Sequence, residues 1–352
     1  MAMRYLCFLR GVSATLFTLL LFAAPARSTT IDYSQIFIFG DSLSDSGNVS
    51  NLTGGSFPPA PAYYNGRFSN GPNWVDRFSA SLGLNPVLST ELGPLPPLGP
   101  VPPLPTDGIN FALGGATSGS TTVAHLATGV PELSTLPGLS QQISTFQALY
   151  SGPFAPDPDA LFVLWVGGND YLFNVNDPAT VLSNIGTALT TLSGLGAENF
   201  LIANLPDLGE TPFAEINGGQ PVEDALNLVT QAHNTGLEAL LASLDIDYSL
   251  LDINALFKEA LADPAALGFL DPDSPFLLDC IEAMNCPPGV TPDDYVYWDE
   301  IHPTSAAHAV IAATALNLID VPEPSTLFLM SVGLLGLGFA ARRRKHTTTV
   351  CG

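Results

Sequence analysis

The chain has 352 residues, and its 33 Asp and Glu outweigh 10 Lys and Arg to leave a formal net charge of −23. Such a surface repels phosphate backbones and anionic lipid headgroups, which excludes nucleic-acid binding and favours solubility. The imbalance is steeper away from the ends. Arg4, Arg10, Arg27, Arg342, Arg343, Arg344 and Lys345 all lie in terminal segments, which leaves Arg67, Arg77 and Lys258 as the cations between them.

Residues 1–26 read as a secretory signal peptide, because Arg4 and Arg10 precede the apolar run GVSATLFTLLLFAAPA, which closes on the cleavage pattern Ala24-Pro25-Ala26. One domain is expected over 28–320. Its first predicted strand, IFIFG (36–40), is apolar on both faces and stops in the small and acidic cluster DSLSDSGN. Helical spacing follows over 73–84. The stretch LGPLPPLGPVPPLP (92–105) cannot join a sheet, since proline lacks the ladder donor, and reads as a stiff exposed loop.

The alternation then repeats. Strands are predicted at INFAL (109–113), LFVLWVG (161–167), FLIANL (200–205) and YSLLDI (248–253), and helices over 139–150, 178–195, 221–244, 254–262 and 304–319. Short doubly apolar runs alternating with amphipathic helices imply an α/β fold with a five-stranded parallel sheet covered on both faces. DPDSP (271–275) is acidic but lacks the D-x-D-x-D-G pattern of a calcium loop. Cys280 and Cys286 are the two cysteines inside the domain, and export would let them close a small disulfide loop. At the far end, STLFLMSVGLLGLGFAA (325–341) carries no charge and is followed by Arg342–Lys345, near the shortest length that spans a bilayer. Any membrane contact is expected through this segment alone.

Function in a doubly wound sheet sits at the carboxyl ends of the strands. Asp41, Ser42 and Ser44 follow the first predicted strand, Gly114 and Gly115 the second, and Gly168, Asn169 and Asp170 the third. A serine nucleophile needs a base, and the base an orienting partner. His233 and His308 fall inside helical patterns and His125 in a loop. His302 follows Asp299 by three residues and precedes Pro303. A D-x-x-H turn can set a carboxylate on Nδ1 and leave Nε2 facing a substrate. Acyl transfer also needs donors for the developing oxyanion, for which the Ser42 and Gly115 N–H groups and the Asn169 amide are candidates.

In order, FGDSLSDSGN, NFALGGA, VGGND and DEIHP resemble the four sequence blocks of the GDSL, or SGNH, esterases and lipases. NGRFSNGPNWVD (65–76) and NLPDLGETP (204–212) are further matches, and the resemblance runs from about residue 35 to 316. It implies a flavodoxin-like three-layer α/β/α sandwich (the SGNH hydrolase fold) with Ser42 as nucleophile and His302 as general base oriented by Asp299. It also implies Gly115 and Asn169 as oxyanion donors beside the Ser42 amide, with Asp41 and Gly114 in supporting positions. No metal or organic cofactor is called for. No G-x-S-x-G occurs, so the nucleophile elbow of the α/β-hydrolases is not expected.

The expected substrate is a carboxylic ester. A carbohydrate O-deacetylase is the alternative enzyme, and a non-catalytic surface protein the alternative of another class. VPEPSTLFLMSVGLLGLGFAARRRK (321–345) resembles the PEP-CTERM sorting signal of Gram-negative bacteria. That implies processing near Pro322-Glu323-Pro324 by an exosortase-type protease, then surface retention or release, with a plain membrane anchor as the alternative.

Overall fold

The strand β1 (Gln35–Gly40) occupies the middle of its sheet because neither of its faces is polar: Ile36, Phe37, Ile38 and Phe39 have no exposed surface. The computed structural model describes residues 32–93, 103–150 and 155–319. The signal segment, most of the proline-rich stretch and the sorting segment with its span at 325–341 lie outside the described residues. In chain order the remaining strands of the sheet are β2 (Val87–Leu88), β3 (Gly108–Asn110), β4 (Ala160–Trp165), β5 (Asn199–Ala203) and β6 (Asp247–Leu251).

The sheet runs β2-β3-β1-β4-β5-β6 with every pairing parallel. Five strands lie where the hydrophobic runs predict them. The sixth, β2, is a two-residue edge strand that carries no pattern of its own. This is the flavodoxin-like order, and its direction of winding reverses between β1 and β4. A crevice outside the strand ends forms at such a reversal.

The longer helices are α1 (Trp74–Ser81), α2 (Leu139–Leu149), α3 (Pro178–Gly194), α4 (Gln220–Ser243), α5 (Ile253–Ala262) and α6 (Ser305–Ile319). Their starts are written in the sequence. Asn73 and Asp76 form a reciprocal capping box on α1, Asp177 accepts the Thr180 N–H with Pro178 at the first position of α3, and Asp252 caps α5 through Ala255 N–H. Side-chain parity along β4 separates two helical layers. Phe162 meets Phe37 and, on α2, Phe146, whereas Trp165, of opposite parity, meets Trp74 of α1. The helix α2 packs beside α3 and α3 beside α4, while α1 packs on α6. The result is a three-layer sandwich.

A second, two-stranded sheet joins β7 (Asp271–Pro275) to β8 (Tyr295–Tyr297). The acidic DPDSP segment is thus a strand, and its two prolines are tolerated because a two-stranded sheet is all edge. Between these strands Leu277–Glu282 forms a π-helical turn, and Cys280 pairs with Cys286 in a disulfide. Phe276, Leu277, Tyr295 and Trp298 form a small apolar cluster of their own there. Among the described residues no helix is long and apolar enough to cross a membrane.

Candidate active site

The backbone leaves β1 at Gly40, where a Cβ would drive into the Trp165 carbonyl on the neighbouring strand. It then turns sharply. Ser44 N–H and Asp45 N–H both donate to the Asp41 carbonyl, and Leu43 N–H donates to Asp41 Oδ1. This tight turn lifts Ser42 to the sheet edge with 8 % of its surface exposed. Asp45 fixes the turn from behind, accepting N–H donors from Gly47 (2.7 Å), Asn48 (2.6 Å), Val49 (3.1 Å) and, across the fold, Gly114 (2.9 Å).

The opposite side of the crevice comes from the loop after β8. A bridge between Tyr297 and Pro303, and a 2.7 Å bond from Trp298 N–H to the His302 carbonyl, close this loop into a narrow turn. Inside it Asp299 accepts the Ile301 and His302 N–H groups at 2.9 and 2.7 Å. The imidazole Nδ1 lies 2.9 and 2.8 Å from the two Asp299 oxygens, and Nε2 lies 2.8 Å from Ser42 Oγ. With the carboxylate fixing the proton on Nδ1, Nε2 is left to accept from the Ser42 hydroxyl.

Two groups that the sequence does not single out complete this side. Tyr63 donates its hydroxyl to Asp299 Oδ2 at 2.7 Å, and the Phe68 ring lies 5.2 Å from that of His302. Gly114 leaves room for Phe68, since a Cβ there would meet the ring.

Burial is the largest influence on the Asp299 carboxyl and pushes it up. The His302 charge and the hydrogen bonds from His302 and Ile301 together outweigh it and hold the group below its ordinary value. On the serine side burial wins. It pushes Asp41 up to about 7 against the Leu43 N–H, and Asp45 up to about 6 against its four N–H donors. Burial, and then the Asp299 charge, also raise Tyr63, so its hydroxyl keeps the proton it donates.

Gly115 and Asn169 face the same crevice as Ser42 and His302. The Asn169 amide donates to the Ala116 carbonyl at 3.0 Å, which orients it and leaves its second hydrogen unspent. Neither the Ser42 nor the Gly115 N–H donates to a protein group among the described residues. Gly115 has φ 78°, and a Cβ there would strike Ala124. All three donors are therefore uncommitted to other protein groups among the described residues.

The crevice is a cavity of about 290 Å³ walled by Phe57, Phe68, Val123, Ala124, Phe173 and Leu277, with Glu282 and Glu300 also on its lining. His125 lies on a one-turn helix, Ala124–Thr128, rather than in a loop. His233 and His308 are buried in α4 and α6, where desolvation lowers them to about 4 and about 3. Among the described residues no group of three or more His, Cys, Asp or Glu side chains is placed to hold a metal ion.

A serine hydroxyl on an imidazole, a carboxylate behind that imidazole and a sheet-edge cluster of free donors together define a hydrolase-type site. Over residues 36–315 the chain matches the GDSL-like lipase/acylhydrolase family, to which it belongs. Residues 320–345 match the PEP-CTERM protein-sorting motif, which indicates export and surface sorting in Gram-negative bacteria.

Among its relatives, an uncharacterized protein from the trpE-trpG intergenic region of Pseudomonas putida is 31% identical over 335 residues, 89% of this chain and 53% of that protein. The chain thus spans about half of that relative's length. The phosphatidylcholine-sterol acyltransferase of Aeromonas hydrophila is 28% identical over 341 residues, 82% of this chain and 90% of that one. A crystal structure of a lipolytic G-D-S-L family protein from Veillonella parvula aligns with TM-score 0.41 and 17% identity over 81% of this chain and 97% of that one.

Proposed function

We propose that the protein is an exported serine ester hydrolase that cleaves carboxylic esters through an acyl-enzyme on Ser42. The observation that carries this reading is the unbroken line from Asp299 through the His302 ring to Ser42 Oγ, with no link longer than 2.9 Å. His302 Nε2 takes the hydroxyl proton as Oγ attacks the ester carbonyl. The carbonyl oxygen, now negative, collects the Ser42 and Gly115 N–H groups and the free Asn169 hydrogen. The imidazolium is stabilised by Asp299 and returns its proton to the departing alcohol oxygen. Water then enters along the same path, gives a proton to Nε2, and releases the acid while Ser42 recovers its hydrogen.

The test is hydrolysis of nitrophenyl acetate, butyrate and palmitate by the purified protein and by Ser42→Ala. The parent should turn over at least one of these esters and the variant none. A folded parent inactive on all three would favour the non-catalytic surface protein. A carbohydrate O-deacetylase would run the same steps on acetylated glycans at the surface to which the sorting motif at 320–345 directs the chain. An exosortase-type protease acting near Pro322-Glu323-Pro324 is the processing partner that this motif brings to the proposal. Release of acetate from an acetylated polysaccharide, faster than from nitrophenyl esters, would favour the deacetylase.

A further inference from the structure

Two cavities meet at Ser42. The larger one holds His302 and Gly115 on its wall. The smaller one, about 40 Å³, is lined by Ser42 and Asn169 but by neither His302 nor Gly115. Its remaining walls are chiefly apolar, with Leu172, Leu205, Leu208, Phe257 and Tyr297 contributing. Ile301 lines both cavities and so stands between them.

We propose that the small cavity is the acyl subsite and that it restricts the protein to esters of short, unbranched acids, from acetyl to butyryl. The proposal rests on the Ser42 acyl-enzyme reading. In the tetrahedral intermediate the former carbonyl carbon carries Ser42 Oγ, the oxyanion, the alcohol oxygen and the acyl carbon. The oxyanion points at its three donors. The alcohol oxygen must lie within reach of His302 Nε2 to receive a proton, which directs the alcohol into the larger cavity. The acyl carbon takes the remaining direction, away from His302, and the small cavity is the space that reaches Ser42 without touching His302.

Its size sets the chain length. At about 40 Å³ against about 290 Å³ for the larger cavity, it has room for only a few carbons beyond the carbonyl. Its walls are also stiff. Leu205, Leu208, Phe257 and Tyr297 are buried parts of the main core, and the Phe257 and Tyr297 rings lie 6.0 Å apart. A longer chain would have to displace them.

The structure also supplies substitutions of opposite sense. Leu172 is half-buried, so Leu172→Ala would open the cavity with little loss of core. A Cβ on Gly168 would meet only Leu208 Cδ2, at 3.9 Å, so Gly168→Ala would fit and narrow it.

The experiment measures kcat/KM for nitrophenyl acetate, butyrate, hexanoate and octanoate with the purified parent, Ser42→Ala, Leu172→Ala and Gly168→Ala. In the parent the value should fall at least about 10²-fold from butyrate to octanoate, about tenfold for each of the first two methylenes that do not fit. Leu172→Ala should move the preferred chain toward hexanoate. Gly168→Ala should lower the butyrate-to-acetate ratio by about tenfold. A parent that takes octanoate as well as butyrate overturns the proposal. So does a parental chain-length profile in both cavity variants. Acetate hydrolysis that survives in Ser42→Ala defeats the acyl-enzyme reading instead, which separates the two failures.

Discussion

The turn that carries Ser42 and the turn that carries His302 face each other across one crevice, yet they are held in different ways. Behind Ser42 the polar network is dense and reaches into the sheet. Asp45 takes four N–H donors, Asn48 Nδ2 donates to the Asn110 and Ala112 carbonyls, Asn110 Nδ2 donates to the Ser44 carbonyl, and Trp74 Nε1 donates to Ser44 Oγ. Each member is buried and satisfied by another, which fixes the turn cooperatively.

The His302 turn is held by contacts from scattered segments: two amide donors and one phenol on Asp299, the bridge to Tyr297 with Trp298 N–H on the His302 carbonyl, Phe213 N–H on the Glu300 carbonyl, the Ser69 hydroxyl on the Pro303 carbonyl, and the Phe68 ring. The apolar cluster next to it holds Phe276, Leu277, Tyr295 and Trp298, apart from the main core. The serine turn is thus fixed by one contiguous buried polar network, whereas the histidine turn is fixed by separate contacts from several segments, of which Tyr63 and Phe68 also act on its chemistry. Damage to the first should appear as lost stability and damage to the second as lost rate.

Asp299→Asn should break the comparison most visibly. The isosteric amide keeps the turn's shape but no longer fixes the Nδ1 proton or stabilises the imidazolium, so kcat should fall by about 10⁴-fold. The unfolding midpoint in urea should drop only by what the Asp299 charge contributes above the acid range, a small loss beside the rate effect. A large stability loss with a small rate loss would reverse the assignment. Asp45→Ala is the counterpart. It orphans four buried N–H groups and should cost at least about 3 kcal/mol in denaturant unfolding. Its specific activity per folded molecule should stay close to the parent's. Next in size is Tyr63→Phe, which removes one hydrogen bond to Asp299. A tenfold drop in kcat, about 1.4 kcal/mol, is the expected scale for one charge-assisted bond. Unchanged kcat would mean that the two amides position Asp299 unaided.

The same contrast explains what could be read in the sequence. Strand and helix positions were legible because burial imposes period: the 139–150 pattern is α2, and the doubly apolar 161–167 run is β4 with its following turn. The candidate site residues were legible because each follows a strand end or sits in a short local turn. Groups recruited from afar were not. Tyr63 reaches Asp299 across 236 positions, and nothing in the residues around Tyr63 marks it as a partner of a carboxylate. Asp45 reads as one more acid in a loop: three of its donors are local, and the fourth, the Gly114 N–H that ties the turn to a second segment, meets it only in the fold. The strand β7 was hidden by its prolines, and the small cavity is assembled from side chains on several elements that no short motif spans.

The finest distinction between the two turns is the sign of their pH dependence. An unfolded aspartate titrates near pH 3.9. Folded, Asp41 is pushed up to about 7, chiefly by burial and against the Leu43 N–H, and Asp45 goes the same way to about 6. Between the unfolded and folded values the native state binds the extra proton, so the serine turn loses stability as pH rises from about 4 to about 7. Asp299 runs the other way. Burial opposes its ionisation, but His302 and the amide donors hold its folded value below the ordinary one, so its contribution is present above pH ~3.9 and is lost as pH falls toward that folded value. Asp41→Asn cannot ionise. Its stability relative to the parent should therefore improve steadily across that interval, measured as urea midpoints at successive pH values. Asp299→Asn should do the opposite, falling behind the parent as pH rises through the acid range. If both variants shifted in the same sense, the two carboxyls would share one environment, and the contrast between the two turns would fail at its electrostatic root.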